Sequence, residues 1–395
     1  MTITDAAQVD LYSVDTFAGG HPIDVYEWLL ANDPVHWHHE PDGPGFWVVS
    51  RAADIRFVNS RDDLFSHWPV SMIEDYMETE RKSMVNLDPP IHTQLRRAVI
   101  PAFLPGAIRS RMPGFRQAAE AIVDEVRDRG ACDLVRDVAG KMASYVTADI
   151  LGIPRDDAVR LYEYIEIGLA GGGTYKPEER QAAANSLAEY SVGVWEDRRA
   201  HPTGDVCSQL AECTIDGAPI GVEDFCMNLV LLIVGGGDTT RHLIAGGMEA
   251  LFEHPDQRAL LEEAFDRRLT SAVEEMLRWV TPTMYNRRSA KVDVTFQGRP
   301  IRAGQKVCVY YAIGNRDPEQ FADPFRFDIT RSPNSHLSFS GQGQHFCLGA
   351  HVARAEAAAM IRALFEGLPA IRQDGPVVWE RSNFVMGPAE LPVAW

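Results

Sequence analysis

The sequence predicts a mainly α fold with a small β region, and three observations carry that prediction. Apolar residues recur at helical spacing through residues 115–126, 138–151, 158–169 and 178–195. A longer segment, 222–251, is apolar almost all round, the pattern of a helix buried on every side. Strand-like pieces are short: 35–37 and 46–49 near the start, then 292–294, 301 and 307–309, and a last group near the C-terminus.

Each element has a local reason. A short helix is expected around residues 23–30, ahead of the first two strands. Asp88-Pro89-Pro90 leads into a helix that carries His92 and Arg96 on one face, at i and i+4. Gly171-Gly172-Gly173 separates the third and fourth periodic runs and reads as a mobile connection. No glycine stops the long central segment; His254-Pro255 ends it instead. A helix with Glu275 and Arg278 follows, and residues 350–366 form a strongly helical segment after a glycine-rich loop. No repeat, low-complexity tract or Ser/Gly/Pro-rich linker cuts the chain, so residues 1–395 read as one domain.

Composition narrows the function. The chain is 45% hydrophobic and 24% charged, as in a globular protein with a sizeable core. Its formal net charge of −18 disfavours nucleic acid and anionic membrane as partners. The six cysteines include no CxxC pair, and His36, His38 and His39 have no cysteine pair at zinc-finger spacing. Neither a disulfide framework nor a structural zinc site is expected. The first ten residues are polar, and the most apolar run, 229–234, is far too short to span a bilayer. The reading is a cytoplasmic protein with no membrane anchor.

Four motifs carry chemistry. Cys347 lies in Phe339-Ser340-Gly341-Gln342-Gly343-Gln344-His345-Phe346-Cys347-Leu348-Gly349, between glycines that allow close backbone approach and a helix N-terminus that stabilises a sulfur anion. Such a thiolate suits an axial iron ligand, though a buried free cysteine is the ordinary alternative. Gly235-Gly236-Gly237-Asp238-Thr239-Thr240 sits in mid-helix, where each glycine costs roughly 1 kcal/mol relative to alanine. A notch for a ligand would offset that, with Asp238 and Thr239 as an acid and an alcohol for proton delivery; tight helix packing is the alternative. Glu275 and Arg278 share a helical face, and the following Trp279-Val280 and Thr281-Pro282 favour a buried pair over a surface one. His92, Arg96, Arg288 and His345 are donors for a carboxylate-bearing cofactor, or else ordinary structural residues.

Taken in order, these motifs resemble the cytochrome P450 family over nearly the whole chain. Asn315-Arg316-Asp317-Pro318, Phe321-Ala322-Asp323-Pro324, Phe327-Asp328 and Arg331 belong to the same resemblance. Length and the polar N-terminus look like the soluble bacterial members. The resemblance implies haem b between the central Gly-Asp-Thr helix and the helix after the cysteine loop. It implies Cys347 as the iron ligand, with His92, Arg96, Arg288 and His345 on the haem propionates. Gly341 shapes the ligand loop with Gly343, and Phe339 shields the sulfur. Gly235 and Gly236 admit oxygen and substrate to the haem. Glu275 and Arg278, with Arg331 as third member, hold the proximal core. Asp238 and Thr239 guide protons toward dioxygen.

Three positions depart from the family pattern. Phe339 stands eight residues before the cysteine rather than seven, with Ser340 as the extra loop residue. Gly235 replaces the commoner alanine, and Ser289 the usual threonine. Longer loops of this kind, and Ser382-Asn383-Phe384-Val385-Met386-Gly387, look like members that oxidise terpenoid, branched-lipid and sterol-like compounds.

The implied activity is a monooxygenase that hydroxylates or epoxidises a small, largely apolar terpenoid, lipid or secondary metabolite with O2. Electrons come ultimately from NAD(P)H through a ferredoxin reductase and a ferredoxin, which docks near Cys347 where Arg354 and Arg97 meet its acidic groups. Expected substrate contacts are Ser71, Met72, Tyr76 and Met77; Leu232, Ile233 and Gly235; Thr283, Met284, Tyr285 and Asn286; and Phe384 and Val385. Tyr285 and Asn286 have core packing as their alternative. Two other readings stand beside this one. Oxidative coupling or ring closure removes two hydrogens where hydroxylation adds an oxygen. A haem sensor or carrier has no use for Asp238 and Thr239.

Overall fold

A computed structural model describes residues 3–75, 82–169 and 176–395. Tyr76, Met77 and the glycines at 171–173 lie outside the described residues. The central helix, Val222–Glu253, is the axis of the fold. Around it pack Gly140–Leu151, Pro177–Ala200, Phe265–Val280 and Ala350–Gly367. The last of these also lies along Pro105–Arg127. The central helix ends at His254, whose backbone N–H donates to the Ala250 carbonyl.

The apolar-all-round pattern of the central segment holds over only part of its length. Residues 242–251 are all buried, whereas Gly235 is exposed and its neighbours are mixed. The first part of the helix therefore borders an open face that the periodicity did not show.

The largest sheet among the described residues has five strands in the order Val35–His38, Phe46–Val49, Lys306–Tyr310, Tyr285–Ala290, Phe65–Ser66, beside one three-stranded and three two-stranded sheets. Tyr285–Ala290 runs antiparallel to Lys306–Tyr310, with Tyr285 opposite Tyr310 and Arg288 opposite Val307. Successive side chains on that strand point to opposite faces. Tyr285 accordingly joins the apolar cluster under the N-terminal segment with Met284, Tyr26 and Phe46. The strand expected at 292–294 begins instead at Val294. Val292 is 45% exposed, and Asp293 accepts a hydrogen bond from the Ala303 N–H at 2.9 Å, a turn role.

Candidate active site

The cysteine loop is shaped by backbone geometry. Ser340, Gly341 and Gly343 have φ of +73°, +71° and +101°. A Cβ on Gly341 would lie 2.7 Å from Leu337 Cδ2, and one on Gly343 only 2.1 Å from the Asn59 carbonyl oxygen. The extra residue, Ser340, is thus absorbed as a left-handed step, at a cost that a glycine would avoid. The turn brings the Cys347 N–H to the Phe339 carbonyl at 3.2 Å. Burial pushes the Cys347 thiol up, while the Gly349 backbone, Arg96 and Arg354 act in the opposite direction.

Arg354 does not offer a free charge to a partner protein. It grips the Glu274 carboxylate with Nε and Nη2, the latter at 2.9 Å, and covers the Phe339 ring at 4.5 Å. This corrects its expected place at the docking surface. Arg97 is exposed.

A second cluster gathers beside the loop. The His345 ring stacks between His67, at 3.3 Å, and His92, at 3.8 Å. Arg288 is 2% exposed; burial first, and then neighbouring charges that include Arg288, disfavour protonation of both His345 and His67. Burial, then the Arg96 guanidinium, lowers the His92 imidazole to about 4. His92 Nδ1, His345 Nε2 and Arg288 Nε are buried and have no hydrogen-bond partner among the described residues. Orphaned buried polar atoms are costly. Three converging from separate segments fit a pair of carboxylates, such as the haem propionates. Arg96 reaches back to the Phe346 carbonyl, next to Cys347.

Of the glycines in the central helix, only Gly235 has open space beside it. A Cβ there would meet nothing within 4 Å, whereas one on Gly236 would lie 2.5 Å from Thr147 Oγ1 and one on Gly237 2.8 Å from Tyr162 Cδ2. Gly236, expected at the cofactor, is instead a close-packing glycine against the 140–151 helix. Thr239 Oγ1 donates to the Gly235 carbonyl at 2.8 Å. Asp238 Oδ1 accepts from Tyr162 Oη and Arg241 Nη2, both at 2.8 Å, and His242 Nε2 lies 3.3 Å away. Burial alone would raise the Asp238 carboxyl; His242, Arg241 and Tyr162 outweigh it and hold the group well below the usual carboxylate range. The expected proton-path acid is therefore an ion-paired carboxylate.

The charged groups of the Glu275 cluster find their partners within the chain, although Asn334 Oδ1 is left without one among the described residues. Glu275 and Arg278 are fully buried and joined by two bonds of 2.7 and 2.8 Å. Arg331 Nε lies 3.2 Å from Glu275 Oε2, Asn334 Nδ2 donates to the same oxygen at 3.0 Å, and the Asp328 N–H donates to Oε1 at 2.8 Å. Arg278 spends its other donors on the Asn315, Pro324 and Arg326 carbonyls.

The expected substrate contacts divide. Met72, Thr283, Asn286, Phe384 and Val385 are partly exposed, and Thr283 pairs with Val385 in a short bridge. Met284 and Tyr285 have no exposed surface, and the Tyr285 hydroxyl accepts from the Ile73 N–H at 3.1 Å. Ile233 is 2% exposed, packed in the main core. These three are core residues because their side chains point away from the open face. Asn59, His67, Tyr162 and His242 were not singled out by motif. Tyr162 and His242 lie on helices whose pattern is apolar spacing, and Asn59 and His67 belong to no motif, so no local pattern marked any of the four as a site residue.

The sequence model of the cytochrome P450 family matches residues 216–368. The chain is 32% identical to a steroid C26-monooxygenase of Mycolicibacterium smegmatis, over 93% of this chain and 88% of that one. It is 34% identical to a methyl-branched lipid omega-hydroxylase of Mycobacterium bovis, over 98% and 95%. The structure superposes on Mycobacterium marinum cytochrome P450 CYP268A2 in complex with pseudoionone with a TM-score of 0.93, at 34% identity and covering 100% of both chains. No described helix is long and apolar enough to cross a membrane. With relatives of this kind along almost its full length, and with the family's cysteine loop and open helix notch both present, the chain belongs to the cytochrome P450 family and is a haem-dependent monooxygenase.

Proposed function

We propose that this monooxygenase hydroxylates a steroid-like, branched-lipid or terpenoid substrate in the cytoplasm. The observation that carries the reading is the agreement between the relatives' names and the side chains on the open face. Two relatives are named for steroid and methyl-branched lipid substrates, and the similar structure holds pseudoionone. Met72, Phe384 and Val385 offer apolar surface, and Thr283 and Asn286 a few polar anchors.

Cys347 would hold haem b, with His92, Arg96, Arg288 and His345 on its carboxylates. When bound, haem supplies the redox chemistry that splits dioxygen and inserts one atom into a C–H bond. The protein's part is positioning and proton control. Gly235 leaves room beside the reacting centre. The Thr239 hydroxyl gives its own proton to the Gly235 carbonyl, which leaves its oxygen as an acceptor that orients the last donor of the proton path. Asp238 is held ionised against burial by His242, Arg241 and Tyr162, and as an anion it orients the donors of the proton path rather than carrying a proton itself. Electrons are taken from NAD(P)H through a ferredoxin reductase and a ferredoxin. Arg97, exposed on the helix that carries Arg96, is the cation offered to the acidic carrier.

A substrate-induced spin-shift screen against sterols, branched fatty acids, terpenoids, macrolides and cyclic dipeptides tests the class. A shift with a macrolide or cyclic dipeptide alone would overturn it. Thr239→Ala is expected to bind haem and substrate normally while product formation falls roughly a hundredfold and electrons go to hydrogen peroxide. Full coupling in that variant would remove Thr239 from the proton path.

A further inference from the structure

The cysteine loop and the carboxylate cluster meet at one side chain. Asn59 closes the helix Ala52–Ser60 and is 3% exposed. Its Nδ2 donates to the Ser340 carbonyl at 2.7 Å. Its Oδ1 accepts from Arg288 Nη2 at 2.8 Å. Its own carbonyl lies so close to Gly343 that no Cβ fits there. The amide thus uses both ends, and their directions are set, because a guanidinium can only donate and a carbonyl can only accept.

The left-handed turn at the extra loop residue closes on itself: the Ser340 carbonyl accepts from the Gln342 N–H at 2.8 Å as well as from Asn59. The Asn59 amide thus takes the carbonyl's second acceptor site from a separate helix and ties the turn to it. On the other side, Arg288 places Nη1 on the Arg287 carbonyl at 2.9 Å and Nη2 on Asn59, which orients the guanidinium so that Nε remains for an outside carboxylate.

We propose that Asn59 is a positioning residue that sets the thiol loop and the carboxylate-binding arginine relative to each other. It touches neither haem nor substrate. The proposal rests on the reading that Cys347 and Arg288 both hold haem. Its two bonds serve different ends of the group: Nδ2 steadies the loop that carries the sulfur, and Oδ1 steadies the grip on a propionate.

Two variants of the holoprotein separate these roles. Asn59→Leu removes both bonds, together with the long contact from Nδ2 to Tyr311 Oη at 3.5 Å. Asn59→Asp keeps an acceptor for Arg288 and sets a carboxylate oxygen against the Ser340 carbonyl. One readout is the rate at which the ferrous carbon monoxide complex converts from its thiolate-type to its thiol-type spectrum. The other is the rate of haem transfer to excess apomyoglobin. Asn59→Leu is expected to raise both rates roughly three- to tenfold, the effect of one lost hydrogen bond on each. Asn59→Asp is expected to raise spectral conversion by a similar factor and to leave haem transfer within about twofold, because its acceptor for Arg288 remains. A folded Asn59→Leu protein with both rates unchanged would overturn the proposal. So would an Asn59→Asp protein with unchanged conversion, or one in which both rates rise together, and this arm stands if the leucine variant fails to fold. The wild-type spectrum is the separate check on the haem-thiolate reading: its absence there would sink that reading, whatever the variants do.

Discussion

Two buried polar clusters flank the cysteine loop, and they differ in how their hydrogen bonds close. Around Glu275, carboxylate and guanidinium find partners within the chain: Arg278, Arg331, Asn334 and the Asp328 N–H on one side, three backbone carbonyls on the other. Around Arg288, nitrogens of His92, His345 and Arg288 itself are buried without partners among the described residues. A buried ionic cluster whose partners are all its own serves the fold, because breaking it strands a charge. A cluster in which three unpartnered nitrogens lie together fits a ligand, because a carboxylate-bearing group would satisfy them at once. The same residue types thus take opposite roles, and the difference lies in where their bonds end.

The strongest way to break this comparison is Glu275→Gln. It leaves Arg278 and Arg331 facing a neutral amide, at an expected loss of about 3–5 kcal/mol. Denaturant unfolding without haem should show the loss in full; a loss seen only with haem would make Glu275 part of the ligand site. Cys347→Ser should abolish the thiolate-type carbon monoxide spectrum and turnover, yet change the stability of the haem-free protein by less than about 1 kcal/mol.

His92→Phe sharpens the contrast from the other side. Removing an orphaned buried nitrogen should leave the haem-free protein as stable as before, or up to about 1 kcal/mol more so, while haem transfer to apomyoglobin quickens roughly tenfold. A loss of stability as large as that of Glu275→Gln would erase the distinction between the clusters. The same variant predicts a pH effect. The imidazole is lowered in the folded protein from its ordinary 6.5 to about 4. Below 6.5 the unfolded chain binds a proton that the folded one refuses, so this part of the stability is present above 6.5 and lost as pH falls through about 4. The melting temperature of the haem-free protein should decline less steeply over that window in His92→Phe than in the wild type. The smallest effect is expected from Ser340→Gly, which relieves a left-handed φ of +73° and should stabilise by up to about 1 kcal/mol. A destabilised glycine variant would mean that the Ser340 side chain, not its carbonyl, matters to the loop.

Much of this was legible before any coordinates. Helix positions follow from apolar spacing, and the central helix stops at His254-Pro255 as its sequence requires. The long-range motifs lie in order along the chain. What the sequence blurred was direction. Three consecutive glycines read alike, yet Gly235 faces open space while Gly236 and Gly237 press on Thr147 and Tyr162. Tyr285 and Asn286 are neighbours on one strand, and pleating alone sends one into the core and leaves the other partly open. Arg354 looked like a surface cation; Glu274, on another helix, had already claimed it.

By itself the sequence determined the chemistry. Cys347, the Gly-Asp-Thr run and the Glu275–Arg278 pair each left an ordinary alternative open when read locally; their order along the chain, and the family resemblance it carries, pointed to a thiolate, a notch and a buried brace. Only the tertiary structure decided which polar groups are satisfied and which are left for a ligand. Asn59 meets Ser340 across 281 residues of chain and Arg288 across 229, and no local pattern reports a hydrogen bond of that separation.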